Sequence, residues 1–175
     1  IKRQVIWLIA SWSLLYLAIS TNLKNWLKIA GPTLFLGCLL LGATLTVGTT
    51  VNGASRWLII GALQLQPSEL IKPFIILQAA NLFAHWKQIN TDQKFFWIGI
   101  FSCILLLVLK QPNLSTAALI GILLWLIALA AGVRLRILIA AAMTGGLLAA
   151  TSMYFNEYQR LRLVSFLNPW EDPQG

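Results

Sequence analysis

Six apolar runs divide this chain, separated by short polar stretches. They fall at residues 4–20, 29–50, 67–86, 95–109, 114–131 and 135–155. A helix needs about 20 predominantly apolar residues to cross a hydrocarbon core, and these runs match or approach that length. None shows the two-residue alternation of a barrel strand. A lone segment in lipid must satisfy its own backbone donors and acceptors, so each run predicts a helix. The pattern therefore predicts an all-α fold, a polytopic transmembrane helical bundle forming one domain over residues 1–175. Ala128/Gly132 and Gly145/Ala149, small residues four apart, predict close helix packing.

Composition agrees with a membrane protein. Of the residues 58% are hydrophobic and 10% charged, with a mean hydropathy of +0.77, whereas soluble domains carry about 25% charged residues. The net charge of +8 is spread over the polar connections. Nucleic-acid binding calls for a basic patch on a folded surface, and no such patch is present. Anionic membrane lipid or a lipid pyrophosphate is the partner that suits this charge. Cys38 and Cys103 fall within apolar runs and read as small buried hydrophobes rather than a disulfide or metal pair. The chain opens on Ile1, shows no cleavable leader pattern and stops within a polar stretch, which reads as an internal piece of a longer polytopic protein.

Six crossings place residues 1–3, 51–66, 110–113 and 156–175 on one membrane side, and 21–28, 87–94 and 132–134 on the other. The positive-inside bias does not orient them. The first side holds Lys2, Arg3, Arg56, Lys110, Arg160 and Arg162; the second holds Lys24, Lys28, Lys87, Lys94, Arg134 and Arg136. The acids separate the sides better. Asp92 is the sole acid in the second set, while segments with acids beside Trp and Pro lie on the first. Chemistry is expected there.

Glu69 and Lys72 stand out within "QPSELIKP". Three positions apart on a helix, they share a face about 4.5 Å apart along the axis. Pro67 suits a first helical turn, and Ser68 is placed to satisfy free N–H groups there. Pro73 removes a backbone donor and so frees a carbonyl. Ionisable residues inside a span are costly and mark either a site or a structural pair; the residues alone leave both readings open.

Arg56 and Trp57 follow Asn52-Gly53, a strong turn signal. An arginine fork can grip phosphate and an indole can stack on a sugar or an isoprenoid chain, but on the residues alone an interfacial basic anchor with an aromatic belt is the leading account. In "NPWEDP", Pro169 and Pro173 bracket Trp170, Glu171 and Asp172, which predicts a fixed loop. A carboxylate there can act as a general base or bind a divalent cation, or be a solvated turn. His85, beside Trp86, reads as an interfacial residue.

Together "NGASRWL…QPSELIKP", "KQPNLSTA" and "RLRLVSFLNPWEDPQG" resemble three signature regions of the SEDS family (shape, elongation, division and sporulation), the FtsW/RodA/SpoVE group. The match runs essentially end to end, and "NPWEDP" is closer to the FtsW division branch. The resemblance implies a fold of about ten transmembrane helices, of which this chain matches the second to seventh plus the start of a large extracytoplasmic loop at 156–175. It implies a multi-pass protein of the bacterial plasma membrane with 51–66 and 156–175 extracytoplasmic. It also implies a peptidoglycan glycosyltransferase that polymerises lipid II during cell division. Its partners would be a class B penicillin-binding protein and other divisome proteins. The stretch alone is expected to be inactive.

Carried over by motif, Asp172 matches the family's loop aspartate, expected as the general base, with Glu171 raising its pKa by like-charge repulsion. Arg56, Trp57, Glu69 and Lys72 match substrate-binding positions. Lys72 or Arg56, alone or with a divalent cation (Mg or Mn) near Asp172 and Glu171, is expected to stabilise the leaving pyrophosphate. An α-linked donor and a β-linked product imply one inverting displacement. The family pattern Gln-Pro-Asp-Leu-Gly-Thr reads "QPNLST" here, with Asn113 in place of the acid. Asn caps helices as well as Asp does, so a capping role is expected. A lipid II flippase and a non-catalytic division scaffold are the alternatives.

Overall fold

A computed structural model describes residues 2–51, 54–60, 63–111, 113–155 and 160. Six helices occupy the six apolar runs: α1 (Lys2–Ser20), α2 (Leu23–Val47), α3 (Pro67–Ala84), α4 (Thr91–Lys110), α5 (Leu114–Ala130) and α6 (Leu135–Phe155). By length and composition α2, α4 and α6 are able to cross a membrane; the apolar helices Gln4–Ser20 and Leu114–Ala130 are shorter.

The segment between α2 and α3 departs from the expected loop. It forms an antiparallel meander of β1 (Thr49–Val51), β2 (Ala54–Ile60) and β3 (Leu63–Leu65), in spatial order β1-β2-β3. Val51 pairs with Ala54 and Thr50 with Ser55. In β2, "ASRWLII" supplies the branched and aromatic residues that strands favour. At the polar boundary, where backbone groups no longer need a helix, that preference prevails.

The core lies where α2, α3, α4 and α5 meet. Leu34, Leu41, Ile71, Ile75, Leu82, Ile104, Val108 and Ile120 are buried there. Lipid tails are as apolar as leucine, so packing contacts rather than water exclusion favour this assembly. At Gly37 of α2 the helices are tight enough that a Cβ atom would overlap the Ile71 side chain of α3. Cys38 of α2 is partly buried and Cys103 of α4 is exposed, both as free thiols, so Cys103 is not the buried hydrophobe that its apolar run predicts. Helix α1 turns most of its side chains outward, Trp12 and Tyr16 among them.

The two small-residue pairs do not make the helix contact their spacing predicts. Gly132 lies beyond the end of α5 with φ +74°, a left-handed conformation suited to terminating a helix. Apart from its own helix backbone and chain neighbours, nothing lies within 4 Å of where a Cβ of Gly145 would sit. Helix α6 packs along α5, where the Trp125 indole donates to the Leu138 carbonyl at 2.9 Å, and Leu138 is its buried residue. A cleft remains between α6 and α4.

Candidate functional site

The C-terminal ends of α2 and α4, the N-terminal ends of α3 and α5, and the meander converge on one face of the bundle. Strand β2 packs on both α2 and α3. Pro67 occupies the first turn of α3 and makes Gln66 the N-cap residue, without a side-chain cap bond. Ser68 therefore falls inside the helix and does not cap it, a correction to the sequence expectation. Its buried hydroxyl instead accepts from Gln66 Nε2 at 3.1 Å.

One turn further, Lys72 Nζ and Glu69 Oε2 form an ion pair of 2.6 Å. The Lys72 side chain is 20% exposed and that of Glu69 50%, so the lysine is partly sunk into the bundle while its partner faces outward. Helix α3 runs unbroken through Pro73. Proline has no N–H, so it leaves the Glu69 carbonyl four residues earlier without its helical donor. The first turns of α3 thus present an ammonium, a carboxylate and a freed carbonyl close together.

Behind the pair lies a buried polar layer that sequence reading did not pick out. Gln111, at the joint between α4 and α5, donates through Nε2 to the Leu41 carbonyl of α2 at 3.1 Å and to Thr44 Oγ1. Thr44 Oγ1 in turn donates to the same carbonyl at 2.7 Å. Asn113 caps α5, its Oδ1 accepting from Thr116 N at 3.4 Å. This is the capping role expected of an asparagine here. Its Nδ2 is buried and has no partner among the described residues. Signals for this layer were present in the sequence: Gln-Pro precedes both α3 and α5, and each glutamine lies beside a helix start.

Trp57 sits in β2 opposite Thr49 and is half-buried. Arg56 precedes it in the same strand, and β2 lies against the start of α3. The fold thus brings the Arg56–Trp57 strand to the end of the bundle that carries Glu69 and Lys72. Asp172 and Glu171 lie outside the described residues. Among the described residues no group of three or more His, Cys, Asp or Glu gathers in a way that could hold a metal ion. His85 is the C-cap of α3 and its Nδ1 lies 3.0 Å from the Asn81 carbonyl, at the opposite end from Glu69, as an interfacial residue would be.

Comparison with known proteins places this arrangement. The family model for the FtsW/RodA/SpoVE cell cycle proteins matches residues 1–175. A relative from Synechocystis named "Probable peptidoglycan glycosyltransferase FtsW" is 42% identical over 176 residues, covering 100% of this chain and 45% of its own length. One from Mesostigma viride, also named for peptidoglycan glycosyltransferase FtsW, is 43% identical over 173 residues, covering 99% and 42%. The chain spans less than half the length of these curated relatives. Among solved structures, one described under "Structural coordination of polymerization and crosslinking by a peptidoglycan synthase complex" aligns with a TM-score of 0.75 at 27% identity, covering 99% of this chain and 52% of that one. The rod shape determining protein RodA of Thermus thermophilus aligns with a TM-score of 0.71 at 26% identity, covering 84% and 49%. The chain belongs to the FtsW/RodA/SpoVE family of polytopic membrane proteins.

Proposed function

We propose that this chain forms the substrate-binding half of a peptidoglycan glycosyltransferase that polymerises lipid II during cell division. The observation that carries the proposal is the Glu69–Lys72 pair, held at 2.6 Å in the first turns of α3. Ionisable residues in a membrane helix mark either a structural pair or a polar site, and a partly sunk lysine beside a half-exposed carboxylate is placed to meet an anionic ligand from outside. The names of the relatives support the reaction class.

In this reading the face that bears the meander and residues 156–175 is extracytoplasmic, in the bacterial plasma membrane. The Lys72 ammonium stabilises the charge that develops on the departing lipid pyrophosphate. Glu69 orients Lys72 and keeps the site close to neutral until the anionic substrate arrives. Arg56 adds a bidentate phosphate contact, and Trp57 shapes the groove for sugar or lipid. Asp172 is the general base that takes the proton from the acceptor sugar hydroxyl as its oxygen attacks the anomeric carbon. The neighbouring Glu171 raises the Asp172 pKa by charge repulsion. One in-line displacement inverts the anomeric configuration, with no covalent sugar–enzyme intermediate. As the alternative to the general-base role, a divalent cation, Mg or Mn, would be held by the hard carboxylate oxygens of Asp172 and Glu171; it would lower the Asp172 pKa and supply charge neutralisation at the pyrophosphate.

The match to a peptidoglycan synthase complex supports a class B penicillin-binding protein as the partner. The test uses the parent protein with that partner and labelled lipid II. Glycan polymer that is lost in Asp172→Ala and in Lys72→Ala supports the proposal. Unchanged polymer in Asp172→Ala removes the base assignment. Lipid II translocation that persists without any polymer would favour a flippase.

A further inference from the structure

Helices α4 and α6 both pack on α5 but leave a groove between them, with a volume of about 840 Å³. Its floor is made of small side chains, including Gly121 on α5 and Ala142, Gly145 and Ala149 on α6. Open space surrounds both glycines: nothing lies within 4 Å of where their Cβ atoms would be. This volume lies in the range of ligand pockets, about 300–1,000 Å³.

The two ends of the groove differ in charge. At one end Trp86 and Lys94 line it, with the Lys94 ammonium 5.2 Å from the centroid of the Trp86 ring. Arg134 flanks the lining residue Val133 at the start of α6 and is exposed. Asp92, exposed in the first turn of α4, is the one acid near this end among the described residues. It lies at a helix N-terminus, where its charge is already favourably placed. At the other end the lining is uncharged, with Leu109, Leu114 and Ala149; Lys110 flanks Leu109 there and is exposed, so Lys94 is the one charged side chain that lines the groove itself. A ligand complementary to this groove has an anionic head at the Lys94 end and an apolar tail along the floor.

We propose that the groove is a binding site for an anionic phospholipid of the leaflet at the Lys94 end. Lys94 and Arg134 meet its phosphate, and an acyl chain lies along the Gly121 and Gly145 floor between α4 and α6. The lysine stem packs on apolar surface while its ammonium reaches the headgroup level, and Trp86 sits at the same depth, where indoles prefer to lie. This site is on the opposite end of the bundle from Glu69 and Lys72 and does not depend on the proposed reaction. It differs from ordinary lipid contact in selecting charge. Bulk lipid would solvate the groove with any headgroup.

Native mass spectrometry on the purified protein taken from vesicles of equal phosphatidylglycerol and phosphatidylcholine tests this. Retained phosphatidylglycerol should exceed phosphatidylcholine. Each basic residue near an anionic headgroup contributes enough for Lys94→Gln to weaken that adduct roughly 5-fold, and Lys94→Gln with Arg134→Gln about 30-fold. Lys94→Arg, which keeps the charge, should retain it. Lys24→Gln, an equal charge change away from the groove, should leave it unchanged. A phosphatidylglycerol with a photoreactive tail should label α5 and α6 along the groove floor. Equal retention of the two lipids, or an adduct that survives the double substitution, overturns the proposal. So does tail labelling confined to other faces. Crosslinking of a cysteine at Gly121 to a further helix or to a second copy overturns it as well, because the groove would then be filled by protein.

Discussion

The side-chain amide of Gln111 donates to the backbone carbonyl of Leu41, 70 positions earlier in the chain, at 3.1 Å. Both residues are fully buried, and with Thr44 they join the end of α2 to the α4–α5 joint behind the candidate site. Gln111→Leu should therefore cost about 1–3 kcal/mol of stability, because it removes two buried hydrogen bonds, to the Leu41 carbonyl and to Thr44 Oγ1. Gln88→Ala, at an exposed position, is the control and should be neutral. Thermal unfolding of the detergent-solubilised protein measures both. Equal midpoints would show that the bond holds nothing together.

The Glu69–Lys72 pair should separate stability from function. With Glu69 half exposed, breaking the pair by Glu69→Gln should change stability by no more than about 1 kcal/mol. Lys72→Met should leave the fold intact yet lower glycan polymer formation by about 10²-fold or more if the ammonium stabilises the leaving group. Unfolding curves and lipid II polymerisation by the parent protein are compared. A large stability loss with proportionate activity loss would mark the pair as structural.

Gly37 is predicted to be the least tolerant glycine of the core. Adding a Cβ brings α2 into the Ile71 side chain, and overpacking of this kind costs about 1–3 kcal/mol. Gly37→Ala should lower the unfolding midpoint, and Ile71→Leu in the same chain, which removes the Cγ2 methyl nearest the added Cβ, should recover part of the loss. Gly121→Ala, which meets open space, should be silent. A double variant no better than Gly37→Ala alone would contradict direct contact between these positions.

Asn113 tests whether a cap is all this position needs to be. Asn113→Ala removes the acceptor for the Thr116 N–H and should cost about 0.5–2 kcal/mol. Asn113→Asp retains the acceptor and introduces the acid of the family pattern. Polymer yield should then stay within about threefold of the unsubstituted protein, far less than a transition-state contact contributes. A gain of tenfold or more would assign the acid a direct part in the reaction.

Much of the helical architecture was legible in the sequence. The expected spans 67–86 and 114–131 begin at the same residues as the observed α3 and α5, because Pro67 and the cap Asn113 are local signals and the apolar runs are continuous. The Glu69–Lys72 contact follows from helical spacing alone. The strands at 49–65 were not anticipated. Their residues are as apolar as their neighbours, so composition did not distinguish them from a connection. Ser68 lies two positions past the cap, because Pro67 fixes the cap at Gln66.

By itself the sequence determined that the chain is a bundle of membrane helices, since lipid offers no partner to an unpaired backbone group. It also determined the pairing of Glu69 with Lys72, which are neighbours on one helix. Tertiary structure alone decided that Gln111 reaches Leu41, that Cys103 is exposed, and that Gly37 lies directly against Ile71 of the neighbouring helix. It also decided that Gly145 and Ala149 line a groove rather than a helix contact. Apolar faces in lipid carry little information about which partner they will meet, because tails and leucines are nearly equivalent neighbours. Close packing and buried hydrogen bonds select among them, and these exist only once the helices are together.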